Sequence, residues 1–127
     1  FVASFIGESN IMPARVVAVE SDRLRLEMYG IPIQTPCCQG VGPGQEVSVM
    51  VRPEKIFVGP ETERPDINKI KVRIRHKTYQ GDRIRYECEL HGQSLIAEVQ
   101  NRPDRPVCQQ GEEVVMGWLP DSTVVLT

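Results

Sequence analysis

Aromatic side chains are scarce in this chain, at 6% of its 127 residues, and it has only two histidines, His76 and His91. Barrels that bind single-stranded nucleic acid set aromatics among basic residues so that bases can stack. Here Phe57, Tyr79, Tyr86 and Trp118 are scattered, and the formal net charge is −2. Neutralising phosphate supplies most non-specific nucleic-acid affinity, so a general nucleic-acid binder is disfavoured. Neither histidine lies in an H-x-x-x-H or H-x-E arrangement. That removes support for a zinc or general-base role, and both are expected on strand surfaces. No G-x-x-x-x-G-K-[ST] loop and no G-x-S-x-G elbow occurs, so neither of those phosphate or nucleophile motifs is available. The sequence assigns no catalytic residue, no cofactor-binding residue and no metal ligand.

Long apolar runs are also missing. The longest are a few residues, far short of the about 20 that a membrane-spanning helix needs. No charged segment leads into an apolar stretch, so no signal peptide is read. The chain opens "FVASFIG" without a Met, as expected of a piece of something longer. Four cysteines occur, Cys37, Cys38, Cys88 and Cys108, and none forms a C-x-x-C pair. A zinc site is disfavoured by that spacing. Cys88 alternates with Tyr86 and Leu90 and is expected to be a core thiol. Free thiols suit a reducing cytosol. With 40% hydrophobic and 25% charged residues, the composition is that of a soluble globular domain.

Helical periodicity is nearly absent, and alternation is everywhere. Leu24, Leu26 and Met28 alternate with polar residues, as do Val47, Val49 and Val51, then Ile70, Val72 and Ile74, then Ile84, Tyr86, Cys88 and Leu90. Period two puts one set inward and the other in water. Turn signals separate the runs at Ser21-Asp22, Gly30, "GVGPGQ", Gly81-Asp82, His91-Gly92 and Asn101 to Pro106. Only residues 1–8 suggest a helical turn. Many short strands at this spacing predict an all-β barrel or sandwich.

The chain also repeats itself. Gly44 to Pro53 and Gly111 to Pro120 span equal intervals, and each proline precedes an acid, Glu54 and Asp121. After two intervening residues come the apolar pairs Phe57-Val58 and Val124-Val125. Upstream, Gly30 and Gly92 open matching strands. Proline cannot donate to a sheet ladder, so each Pro-acid pair predicts a corner between strands. The acid is expected to hold the corner through nearby backbone N–H groups. The polar stretch "GPETERPDIN" between the halves reads as a linker. The predicted architecture is two tandem, interleaved OB-like small barrels formed by an internal repeat, which limits exposed edges by near-closure. Residues 11–66 form the first half and 67–127 the second.

The strongest charge feature is "KIKVRIRHK". A hairpin turning at Gly81 would set Arg75 against Glu87 and Arg73 against Glu89, each pair stabilising by about 0.2–1 kcal/mol. Lys77 would then face Arg85, leaving a small basic spot as a candidate anion site. A solvated, charge-paired face is the stronger expectation. Trp118 takes the place of Val51 in the repeat, so it is expected to point inward; partner anchoring is the alternative.

"FVASFIGESNIMPARV", "VRPEKIFV" and "GWLPDSTVVL" together resemble the C-terminal TOBE (transport-associated OB) domain of ABC-importer ATP-binding subunits, in the polyamine and ferric-iron branch. The resemblance covers essentially the whole chain. It implies that residues 1–10 are the exit from an ATPase domain that holds ATP and Mg. This chain would then be non-catalytic, without a cofactor, and would serve regulation and dimerisation during transport of spermidine, putrescine or a related solute. It implies a cytoplasmic protein peripheral to the inner membrane, homodimeric through the parent subunit and meeting membrane permease subunits through the ATPase domain. No direct membrane insertion is expected. The family pattern falls on Phe5, Ile6, Gly7, Asn10, Arg52, Pro53 and Glu54 as architectural or interface residues, and the repeat adds Trp118, Pro120 and Asp121. The rival functions are a small-ligand-sensing OB-like module, with walls at Lys77, Arg85 and residues 101–106, and, ranked last, an OB-type single-strand nucleic-acid binder.

Overall fold

Alternation decides which side chains meet, and the turns decide which strands do. A computed structural model describes residues 9–103 and 107–127, the side chains of residues 60 and 61 excepted. The helical turn suggested for residues 1–8 lies outside them. Among the described residues, ten strands run β1 Asn10–Val19, β2 Arg23–Met28, β3 Ile31–Pro36, β4 Glu46–Val51, β5 Phe57–Val58, β6 Asn68–Gln80, β7 Arg83–Leu90, β8 Gln93–Gln100, β9 Glu113–Trp118 and β10 Val124–Leu126. The fold is all-β, and the described residues contain no α-helix.

The strands form two five-stranded sheets, in the orders β10-β4-β1-β2-β3 and β5-β9-β6-β7-β8. The second order repeats the first, strand for strand, with one exchange. The short closing strand of each half pairs into the sheet of the other: β5 on β9, and β10 on β4. The barrels are therefore interleaved. The expected halves, 11–66 and 67–127, share the two sheets rather than owning one each.

Every inward residue of the alternating runs named above is buried. They join one apolar cluster that spans both sheets. Trp118 and Val51, each ending the fourth strand of its half, are both fully buried. The Trp118 indole Nε1 donates to Thr123 Oγ1 at 2.8 Å, which satisfies the one polar atom a buried tryptophan carries.

Both long strands carry a bulge at the same place, between Val16 and Ala18 in β1 and between Ile74 and His76 in β6. Each pairs with the fourth strand of its half only before the bulge, and with the second strand from just before the bulge onward. The extra residue bends the strand and increases its twist, so one strand can serve both sides of a small curled sheet. The bulge also corrects the expected charge pairing. Arg73 faces Glu89, but beyond the bulge His76 faces Glu87 and Lys77 faces Tyr86. Arg75 instead reaches back to Glu89 at 3.5 Å.

The Pro-acid corners are single 3-10 turns, Pro53–Lys55 and Pro120–Ser122, each with its proline buried at the first position. Proline has φ preset for that position and no N–H to lose there. Main-chain bonds close the turns: Ile56 N–H donates to Pro53 O and Thr123 N–H to Pro120 O. Neither turn carries a side-chain cap, so the acids do not hold the corners as expected. Charged carboxylates are better solvated outside, and Glu54 is exposed. The linker is likewise ordered by local bonds: Thr62 Oγ1 donates to Gly59 O at 2.6 Å, and Arg64 grips Asp66 at 3.0 and 2.6 Å.

Candidate functional site

The exchange of closing strands leaves a seam between the halves, and two asparagines staple it. Asn10 and Asn68 are the first residues of β1 and β6, and both are buried. The Asn68 amide accepts from Gln34 N–H and donates to Gln34 O, both at 2.9 Å. The Asn10 amide does the same with Ile96, at 2.7 and 2.8 Å. Gln34 and Ile96 lie in β3 and β8, the edge strands of the opposite half. An edge strand presents unpaired main-chain groups. A primary amide carries one donor and one acceptor side by side, so it takes the place of the missing neighbour strand.

The hairpin turns meet across the same seam. Tyr29-Gly30 and His91-Gly92 are two-residue loops with positive φ at both positions, 53° and 79°, then 50° and 79°. That is the turn whose twist suits a hairpin. His91 therefore sits in a turn rather than on a strand. Its ring stacks on Tyr29 with centroids 4.7 Å apart. The Tyr29 hydroxyl donates to Gln93 Oε1 at 2.6 Å, and Gln93 Nε2 donates to Ile11 O.

Beside the Asn68 staple lies a cleft of about 320 Å³. Its walls come from the outer face of β2, from β3 and from the linker, with Pro120 of the second corner also lining it. Arg23 and Arg25 stand on the β2 wall. The Arg23 guanidinium donates to Gln34 Oε1 at 3.0 Å. The wall's acids are already held: Glu27 lies 3.5 Å from Arg15, and Asp66 is gripped by Arg64. The Arg64 hydrogen bond lowers the Asp66 carboxyl below its usual range.

The structure does not bring Lys77 and Arg85 together. Lys77 faces Tyr86, so it leaves the sheet on the side opposite to Arg85, which faces Thr78. Lys77 Nζ bonds Gln109 Oε1 at 3.3 Å, and Arg85 lies 3.5 Å from Glu98. Of the other residues singled out, Arg52 precedes the first corner, Pro53 and Pro120 are buried in the corners, and Trp118 is core. Glu54 is exposed and Asp121 makes no capping bond. Phe5, Ile6 and Gly7 lie outside the described residues, as do residues 104–106 of the expected loop wall.

Sequence reasoning missed Arg23, Arg25, Gln34 and Asn68. The signal for Asn68 was present: it opens its half as Asn10 opens the other. Insertions between the landmarks change the repeat's offset along the chain, which hides the match. Cys88 and Cys108 are poor nucleophiles here. Burial pushes the Cys88 thiol up to about 12 and raises that of Cys108. Among the described residues no group of three or more His, Cys, Asp or Glu could hold a metal ion.

A family model described as "TOBE domain" matches residues 49–126. The chain is 32% identical over 130 residues to the spermidine/putrescine import ATP-binding protein PotA of Aliivibrio fischeri, covering 99% of this chain and 35% of that protein. It is 32% identical over 132 residues to the putrescine transport ATP-binding protein PotG of Escherichia coli, covering 100% of this chain and 35% of that one. The chain thus spans about a third of the length of these curated relatives. Among solved structures it resembles the cytoplasmic molybdate-binding protein ModG, with a TM-score of 0.76 at 11% identity, over 93% of this chain and 95% of that one. That likeness concerns the fold alone.

Proposed function

Because the chain belongs to the TOBE domain family, we propose that it is the non-catalytic C-terminal regulatory and dimerisation unit of an ABC-importer ATP-binding subunit, for polyamines or a related solute. The observation that carries this reading is the match along the whole chain to polyamine-transport ATP-binding proteins three times its length. In this reading ATP and Mg sit in the ATPase domain, and the permease subunits meet that domain at the cytoplasmic face of the inner membrane. The interleaved barrels supply a stiff body, because separating them would break two strand pairings and two asparagine staples at once. A stiff body transmits force and position between subunits better than two barrels on a flexible tether.

Light scattering tests the assembly role. The full-length parent should run as a dimer at concentrations where the parent lacking these residues runs as a monomer. The present chain should neither bind ATP tightly nor turn it over; either activity from it alone would contradict the reading.

A second reading, a small-ligand-sensing module, is favoured by one observation: the seam holds a cleft with an exposed arginine, Arg25, that has no acid partner among the described residues. Ligand in that cleft would bear on both halves at once.

A further inference from the structure

The seam cleft has a chemistry of its own. Among the described residues, four charged side chains line it, Arg23, Arg25, Glu27 and Asp66. The two acids are held by arginines that are not part of its wall, Glu27 by Arg15 and Asp66 by Arg64. Arg23 shares the Asp66 carboxylate with Arg64, since its charge also lowers that carboxyl, and Arg25 is left without an acid. Arg23 is steadied by the neutral Gln34 amide at 3.0 Å. Arg25 is exposed and, among the described residues, makes no hydrogen bond or ion pair. Beside it stands Val17, the residue pushed out by the β1 bulge, 46% exposed. The exposed prolines Pro32 and Pro65 complete an apolar wall.

We propose that this cleft binds a small organic anion: a carboxylate or phosphate group on a short hydrocarbon body. The anionic oxygens pair with Arg25 and Arg23, whose planar guanidinium groups match such oxygens two at a time. The hydrocarbon body covers Val17, Pro32 and Pro65. A volume of about 320 Å³ is at the small end of the range for ligand sites, about 300–1,000 Å³. A bare inorganic oxyanion would use the charge and leave the apolar wall wet. A cation would find both acids taken. The proposal rests on the ligand-sensing reading, and the dimer measurement above tests the assembly reading separately, so either can fail alone.

The experiment is calorimetry on the intact chain with phenyl phosphate, benzoate and sulfate at matched ionic strength, with amide shifts mapped by NMR. Phenyl phosphate or benzoate should bind saturably and shift the amides of Gln34 and Asp66; whichever of the two binds tighter identifies the head group. Sulfate should bind about tenfold or more weakly, the expected effect of losing the apolar contacts. Arg25→Gln should weaken binding about tenfold or more, since a charge-assisted hydrogen bond is lost. Lys77→Gln, on another part of the surface, should leave the affinity unchanged. No saturation by either organic anion below about 10 mM, an Arg25→Gln chain of unaltered affinity, or sulfate binding as tightly as phenyl phosphate would each overturn the proposal. Arg25 is exposed, so its replacement leaves the core intact, and circular dichroism checks this.

Discussion

At the scale of single residues, the seam depends on Asn10 and Asn68 more than on any charge. Each buried amide supplies a donor and an acceptor to a part-buried stretch of edge strand. Truncation strands both main-chain groups. Asn68→Ala is expected to cost about 1–2 kcal/mol, as is Asn10→Ala, because two part-buried hydrogen bonds of about 0.5–1.5 kcal/mol each are lost. Urea melts of the two variants measure it; a loss under about 0.5 kcal/mol would show that water replaces the amide. A second residue-scale effect is alkaline. Burial pushes Cys88 up from 9.0 and Tyr86 up from 10.0, each to about 12. Unfolding returns both to ordinary values. Between about pH 9 and 12 the unfolded chain then holds fewer protons than the folded one, so stability falls with rising pH. It is fully present below about pH 9. Cys88→Ala should flatten the early part of that fall in urea melts taken across the window. An unchanged slope would mean that the thiol does not sense its burial.

At the scale of elements, the two corners explain why proline and an acid recur together, and they separate the roles of the pair. Proline belongs to the turn: it is buried and its φ suits the first position. The acid does not cap the turn. Glu54→Gln and Asp121→Asn are therefore expected to change stability by less than about 0.5 kcal/mol, the usual range for surface substitutions away from special features. A loss of more than about 1 kcal/mol in thermal melts would restore the capping role that the pattern suggests. The strands themselves were legible because inward and outward alternate residue by residue, which is a local property. The bulges were not. An extra residue such as Arg75 or Val17 leaves composition and turn signals untouched, yet it moves every later pairing by one. That is why Arg73 meets Glu89 as the arithmetic suggests, while Lys77 misses Arg85.

At the scale of the whole molecule, the exchange of β5 and β10 makes the two halves one cooperative unit. A protease site placed between Glu63 and Arg64 should give a cleaved chain that stays together and unfolds in a single transition, since each piece completes the other's sheet. Sedimentation and urea melts check this. Pieces that separate freely, or a first piece that folds alone, would contradict the exchange. The same interleaving makes the cleft, because β3 of one sheet and the linker leading to the other sheet face each other there. Sequence could not assemble that site. Arg23 and Arg25 read as ordinary polar positions of an alternating strand, and only the register shows Arg25 opposite Gln34, with Glu27 and Asp66 already occupied.

The sequence by itself determined the strands, their buried faces, the turns, the doubling of the pattern and the family, because period-two burial, glycine and proline geometry and repeated spacing are all written in neighbouring residues. Only the tertiary structure decided which sheet each closing strand joins, where the asparagines reach and which charges stay unpaired. Those outcomes depend on contacts between residues distant along the chain, and two-residue segments such as Phe57-Val58 carry no information about their partner until the rest has folded around them.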